Sequence, residues 1–206
     1  MMPDRLVPLT PLPVLVLASA SPRRQELLAR LGLPFCVCHP DVDETPAIDE
    51  SIKGYVQRMA RLKADWAIQR WSPPSVVIGA DTIGELDGEL LLKPVDADNA
   101  RAMLMRMSGR DHWVHTAVTI LLSGRNQQKL VSTKVRFRSL RPAEVLAYCQ
   151  MGEGMDKAGA YAIQGAGAAL VESIEGSYSA VVGLPLSEVA DALQTLGYTC
   201  WQESSA

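Results

Sequence analysis

The segment that most limits the possible folds is Val14-Leu15-Val16-Leu17-Ala18, followed at once by Ser19-Ala20-Ser21-Pro22-Arg23-Arg24. A short, wholly apolar run suits a strand buried on both faces, the habit of inner strands in an α/β sheet. Ser21 is a preferred N-cap, and Pro22 then takes the first helical position, where its missing N–H costs nothing and its fixed φ suits the helix. Leu27, Leu28, Leu31 and Leu33 supply an apolar stripe and Gly32 a stop, so the chain reads strand, turn, helix. A helix start offers free N–H groups and the positive end of a dipole. With Ser19, Ser21, Arg23 and Arg24 in the same turn, it is equipped to hold a phosphate chain. Taken alone, the turn reads equally well as a plain cap with two solvated arginines.

The theme recurs at Val76-Val77-Ile78-Gly79-Ala80-Asp81-Thr82, an apolar strand that ends in polar residues. In open α/β sheets functional groups collect at the carboxyl ends of central strands, which makes Asp81 a candidate for chemistry; a strand-end hydrogen bond is the alternative. Between the two strands, 35–38 reads as a further short strand and 39–50 as an acidic loop with two prolines, either solvated or metal-facing. Ser51 to Arg70 reads as an amphipathic helix with Ile52, Tyr55, Val56, Met59, Leu62, Trp66 and Ala67 inward and Arg58, Arg61 and Lys63 on its other faces. Ser72-Pro73-Pro74 is a stop.

After Thr82 the pattern predicts a hairpin over 83–92 turning at Asp87-Gly88, then Lys93-Pro94 and a helix capped by Asp96 that runs to Met107. An antiparallel pair is expected at 114–122 and 129–138, joined by Ser123-Gly124-Arg125-Asn126. His112 and His115, beside Trp113, read as structural. A helix is expected at 140–150, a strand at 168–174, a turn at Gly176-Ser177-Tyr178 and a last helix at 185–196, with a frayed tail over 199–206. The segment from Met155 to Gly165 mixes glycines with Asp156, Lys157 and Gln164; it is poor core material and suits close approach to a ligand. The methionines read as core filler.

At 206 residues the chain has room for one α/β domain or two small lobes sharing a cleft, and a single domain spanning 1–206 with an N-terminal extension over 1–13 is expected. A net charge of −3 argues against a protein that holds long nucleic acid electrostatically, and no apolar run is long enough to span a bilayer. Leu6 to Leu17 followed by Ala18-Ser19-Ala20 imitates a secretory signal, but Pro8, Pro11 and Pro13 break it and cleavage after Ala20 would remove the first strand. Cys36-x-Cys38-His39 lacks the second ligand pair of a structural zinc site, so buried free thiols in a reducing cytoplasm are expected for all four cysteines.

Taken together, several motifs resemble the Maf nucleotide pyrophosphatases: Ser19-Ala20-Ser21-Pro22-Arg23-Arg24, Asp43-Glu44-Thr45-Pro46, Lys63-Ala64, Gly79-Ala80-Asp81-Thr82, Leu92-Lys93-Pro94, Asp156 to Tyr161 with Ile163-Gln164-Gly165, and Val182-Gly183-Leu184-Pro185. Their order covers nearly the whole chain. The resemblance implies a mixed twisted sheet flanked by helices, elongated and two-lobed with a central cleft, in the Maf and ITPase manner. It implies a cytoplasmic enzyme that hydrolyses a nucleoside triphosphate to the monophosphate and pyrophosphate with a divalent metal, Mg²⁺ or Mn²⁺. Arg23, Thr82 and Gln164 match the branch that resembles dTTP/UTP pyrophosphatases. The departures are the proline-rich extension and Gly84-Glu85, where apolar residues are common in relatives.

In that frame Asp81 is the expected base and, with Glu44, a metal ligand. Ser19, Ser21, Arg23, Arg24, Lys63, Thr82, Lys93, Asp156, Lys157 and Gln164 are expected to bind substrate. Gln164 can both donate and accept, so its amide could match the 4-oxo and N3–H edge of uracil or thymine. A broad clearing activity on non-standard nucleotides and a non-catalytic nucleotide-binding regulator of cell division are the competing readings. A homodimer is left open.

Overall fold

In the computed structural model, which describes residues 12–71, 74–122 and 125–201, β1 (Val14–Ala18) lies between two parallel partners, β2 (Cys36–Cys38) and β3 (Ser75–Leu86). That placement is why its residues are apolar without alternation. Helix α1 (Pro22–Ala29) carries the chain from β1 to β2, and α2 (Ile52–Ile68) carries it to β3, as parallel neighbours require. From β3 onward the pairing is antiparallel. β4 (Glu89–Leu91) folds back on β3 through Asp87 and Gly88, both at positive φ; β5 (Asp111–Leu122), β6 (Arg125–Phe137) and β7 (Val171–Glu175) then pair in turn. The strand order is β2-β1-β3-β5-β6-β7 with β4 attached to β3, a seven-stranded mixed sheet. Helices α3 (Ala97–Met107), α4 (Pro142–Gln150), α5 (Tyr178–Val182) and α6 (Leu186–Thr195) complete the fold.

Local capping explains several boundaries. Ser51 Oγ accepts from the Gly54 N–H, and the Asp96 carboxylate accepts from the Asn99 N–H at 2.7 Å. Ser21 stands at the N-cap of α1 with Pro22 behind it, but its side chain makes no cap bond; its own N–H donates to Ser19 Oγ instead.

Elsewhere long-range pairing overrides the local reading. β3 does not end at Asp81 but runs on to Leu86, because β5 pairs with it from Val76 to Glu85. Arg125 and Asn126 belong to the β6 ladder rather than a turn. The strand expected at 168–174 is a 3-10 turn (Ala166–Leu170) followed by β7, and Ser177 caps α5 where a turn was expected. The end of the chain is docked as far as Trp201, whose backbone N–H donates to Leu31 O and whose indole N–H donates to Arg30 O. Of the four cysteines, all free, Cys200 is buried but Cys36 is exposed, since β2 is an edge strand. The extension before Leu12, the stop at Ser72-Pro73, the turn at Ser123-Gly124 and the tail beyond Trp201 lie outside the described residues.

Two apolar clusters share one face of the sheet. The first joins β1, α1 and α6 to Val76, Ile78 and Ala80 of β3 and to Val118 and Ile120 of β5. The second joins α3 and α4 to Leu86 of β3, Val114 of β5 and Phe137 of β6. Between them the same two strands carry Thr82 and Thr116, which are register partners. The apolar face is thus broken by a polar rung, and the two clusters form two lobes along one sheet.

The opposite face is covered by α2, whose buried residues are Val56, Met59, Ala60, Lys63, Ala64 and Ala67. This helix approaches β3 closely at Gly79: a Cβ there would fall 2.4 Å from Ala60 O and 2.6 Å from Ala64 N. Lys63 is therefore drawn into the sheet-facing side rather than the solvated side. Gly79→Ala is expected to push α2 outward and to cost about 1–3 kcal/mol, read as a lowered midpoint in urea unfolding.

Candidate functional site

Along β3, pairing with β1 ends at the Ala18–Gly79 register and pairing with β4 begins at Gly84. Between these points one edge of β3 has no strand neighbour, and a cleft of about 1130 Å³ opens there. The start of α1, the acidic loop, α2, the end of β4 and the 153–165 segment all reach its walls. Ser19, Ser21, Arg23, Arg24, Glu44, Lys63, Asp81, Thr82, Lys93, Asp156, Lys157 and Gln164 all line it. The positions singled out in the sequence are gathered in one place.

On the α2 side, the Lys63 ammonium sits between two carboxylates, 2.8 Å from Glu44 Oε1 and 2.7 Å from Asp81 Oδ1. The Lys63 and Asp81 side chains are only 10% and 13% exposed, so the contact is poorly screened by solvent. For Glu44, partial burial pushes the carboxyl up, but the Lys63 hydrogen bond and the charges of Lys63, Lys93 and Arg24 outweigh it and hold it below its ordinary value.

The acidic loop is not simply solvated. The Tyr55 hydroxyl donates to Glu44 O at 2.9 Å and Arg58 donates to Thr45 O, while Arg58 grips the Glu50 carboxylate at 2.7 and 2.6 Å. That grip holds Glu50 down to about 2. Tyr55 and Arg58, about one helical turn apart on α2, thus carry the loop that presents Glu44. The sequence marked Tyr55 only as a core residue and Arg58 only as a solvated one.

On the other side of the sheet, Arg24 ties α1 to the polar rung. Its Nε donates to Gly183 O at 2.8 Å, and its terminal nitrogens donate to Thr82 Oγ1 at 3.1 Å and Ser19 Oγ at 3.4 Å. Thr116 donates to Ala180 O and lies 3.0 Å from Thr82 Oγ1. Burial lowers the Arg24 pKa, and the nearby Asp81 charge opposes that shift. Arg24 thus lines the cleft while fastening the start of α1 to β3 and to the Gly183 carbonyl. Arg23, Lys93 and Gln164 line the cleft with no side-chain hydrogen bond among the described residues, and Lys157 pairs with Asp156.

Both histidines near Trp113 are buried. His115 is held between Glu85 Oε2 and Ser132 Oγ, each 2.8 Å from a ring nitrogen, partners that other strands supply and sequence spacing could not reveal. His112 lines the cleft, packed edge-on to Phe137 and Tyr161, with one ring nitrogen 2.8 Å from the Tyr161 hydroxyl and Nδ1 without a partner among the described residues.

Residues 14–196 match the family described as Maf-like protein. The chain belongs to that family. Among Maf-family relatives, the dTTP/UTP pyrophosphatase of Myxococcus xanthus (strain DK1622) is 52% identical over 185 residues, 89% of this chain and 93% of the relative. The dTTP/UTP pyrophosphatase of Alcanivorax borkumensis is 46% identical over 190 residues, 92% of this chain and 98% of its own. A solved nucleoside-triphosphatase / dITP/XTP pyrophosphatase of Mycobacterium abscessus aligns with 60% of this chain and 72% of its own at 16% identity and a TM-score of 0.39, too remote to carry an argument. No helix among the described residues is long and apolar enough to cross a membrane.

The cleft makes a pH prediction about stability. Burial pushes His112 down to about 4, against a slight opposing pull from the Asp111 charge. The folded state therefore favours the neutral ring, so its contribution is complete above the ordinary histidine pKa of about 6.5 and is lost as pH falls toward 4, a loss of about 3 kcal/mol. Urea unfolding from about pH 7 to about pH 4 should show this slope, and His112→Phe should flatten it.

Proposed function

We propose that this Maf-family protein is a nucleoside triphosphate pyrophosphatase that hydrolyses dTTP and UTP to the monophosphate and pyrophosphate. The observation that carries the reading is the Glu44–Lys63–Asp81 contact, set in the same cleft as the Ser19–Arg24 turn and Gln164. The relatives named dTTP/UTP pyrophosphatase support it, as does the presence of Arg23, Thr82 and Gln164 at the positions on which the pyrimidine branch is recognised.

Hydrolysis between the α and β phosphates needs a water, a base and cationic groups on the phosphate oxygens. In this reading Asp81 takes the proton of the attacking water as the new bond to the α-phosphorus forms. The bond from that phosphorus to the bridging oxygen breaks, and pyrophosphate leaves. Arg23, Lys63, Lys93 and Lys157 offset charge on the phosphate chain, with the N–H groups of the turn beside them. Arg24 keeps the turn in place against Thr82 and Gly183.

The residues also suit a divalent cation. Two carboxylates already converge on one cationic group, the Lys63 ammonium, and no group of three or more His, Cys, Asp or Glu side chains is arranged for a metal among the described residues. Two carboxylates with water and phosphate oxygens making up the rest is how Mg²⁺ or Mn²⁺ is commonly held at phosphates. Glu44 and Asp81 would hold it, and it would supply charge neutralisation and Lewis-acid polarisation of the phosphate oxygens. Free cysteines, one of them exposed, suit the reducing cytoplasm as its location.

A panel of nucleoside triphosphates assayed for pyrophosphate release with Mg²⁺ and with Mn²⁺ tests this reading. UTP and dTTP should exceed CTP by about 100-fold in kcat/KM, with the bound Gln164 amide donating to the 4-oxo group and accepting from N3–H, a pattern that cytosine reverses. Asp81→Asn should stay folded and lower kcat by about 100-fold or more. Near wild-type turnover by that variant would remove Asp81 from the role of base.

A further inference from the structure

Gln164 is exposed, so nothing in its own side chain fixes where its amide points. What the backbone fixes is the point from which the side chain reaches into the cleft, and that backbone is held by two residues that precede it. Tyr148, in the last turn of α4, buries its ring in the second apolar cluster and places its hydroxyl beneath the segment. The hydroxyl accepts from the Ala162 N–H at 3.0 Å and donates to Glu153 Oε2 at 2.9 Å. Glu153 in turn accepts from the Ala166 N–H through Oε1 and from the Gly167 N–H through Oε2, both at 3.0 Å. Backbone amides on either side of Gln164 are thereby tied to one phenol–carboxylate pair.

The fit is close. A Cβ at Gly165 would fall 1.8 Å from Glu153 Oε1, and one at Gly167 would fall 2.6 Å from Ala162 O and 2.9 Å from Tyr148 Oη. The segment can wrap the carboxylate only because both positions are glycine. The carboxylate receives one O–H and two N–H donors, a set that suits an ionised, acceptor-only group. Lys157 also donates to Glu153 O, so the residues at the near end of the segment are fastened to the same point.

We infer that Tyr148 and Glu153 are positioning residues for substrate choice: they fix the backbone on both sides of Gln164 and so place its side chain within reach of the pyrimidine edge. The inference rests on the base-reading role of Gln164 proposed above. It assigns Glu153, which lines the cleft, a role in base selection that acts only through Gln164.

The test compares wild type, Glu153→Gln, Tyr148→Phe, Gln164→Ala and the Glu153→Gln/Gln164→Ala double variant. It reads kcat and KM for UTP and CTP together with the inhibition constant for inorganic pyrophosphate. Tyr148→Phe keeps the buried ring and removes only the hydroxyl, so it serves where Glu153→Gln folds poorly. Each single change of the pair should lower the UTP/CTP ratio of kcat/KM by roughly tenfold, mainly through a raised KM for UTP, and leave pyrophosphate inhibition within about twofold. In the Gln164→Ala background, adding Glu153→Gln should change the ratio by less than about twofold, the mark of action through one residue. An unchanged ratio in Glu153→Gln and Tyr148→Phe, or an equal loss on both nucleotides with weakened pyrophosphate inhibition, overturns the inference while leaving the pyrophosphatase reading intact. A wild type that releases pyrophosphate equally from UTP and CTP overturns the Gln164 role and the inference with it. A wild type that releases none overturns the pyrophosphatase reading itself.

Discussion

The site depends on a lysine that is almost wholly inside the protein. An ammonium group 10% exposed is costly to bury unless it is paired, and Lys63 is paired on both sides, with Glu44 and Asp81. Removing either carboxylate changes the charge balance at the other two groups. The contact exists because α2 lies close against β3, and α2 lies close because Gly79 faces Ala60 and Ala64 without a side chain between them. A packing detail of the sheet thus sets the distance between groups that sit in different elements.

The second constraint is the change of strand direction along β3. Its first part is paired with β1 in the parallel half of the sheet, and its last part with β4 in the antiparallel half, so the open edge falls between them. Asp81 and Thr82 are consecutive there and point to opposite faces, as neighbours in a strand must. Asp81 meets Lys63 from α2, and Thr82 meets Arg24 from α1. Arg24 also reaches Gly183, so one guanidinium fastens the start of α1 to β3 and to the connection between α5 and α6. Thr82, one half of the polar rung that divides the two apolar clusters, also lines the cleft.

Much of this was legible in the sequence where the cause is local. The apolar run of β1, Pro22 after Ser21, the cap at Asp96 and the Asp87-Gly88 turn all follow from nearest-neighbour chemistry, and the structure has each element in place. The ordered motifs also pointed to twelve residues that line one cleft. What could not be read there depends on partners far along the chain. The continuation of β3 past Asp81 comes from β5, the inward turn of Lys63 from Gly79, and the bracing role of Arg24 from Gly183 and Thr82. Tyr55, Arg58, Tyr148 and Glu153 were missed as supports because each acts on backbone rather than through a recognisable motif. The run Gly165-Ala166-Gly167 so soon after Glu153 was the one available hint, since closely spaced glycines mark backbone passing near another group.

In the proposed reaction the carboxylates beside Lys63 serve attack of water on the α-phosphorus. Hydrolysis of UTP in ¹⁸O-labelled water, with the products resolved by mass spectrometry, tests it most directly. The label should appear in UMP, and the pyrophosphate released should be unlabelled. Label in the pyrophosphate, or release of orthophosphate as the first product, would contradict it.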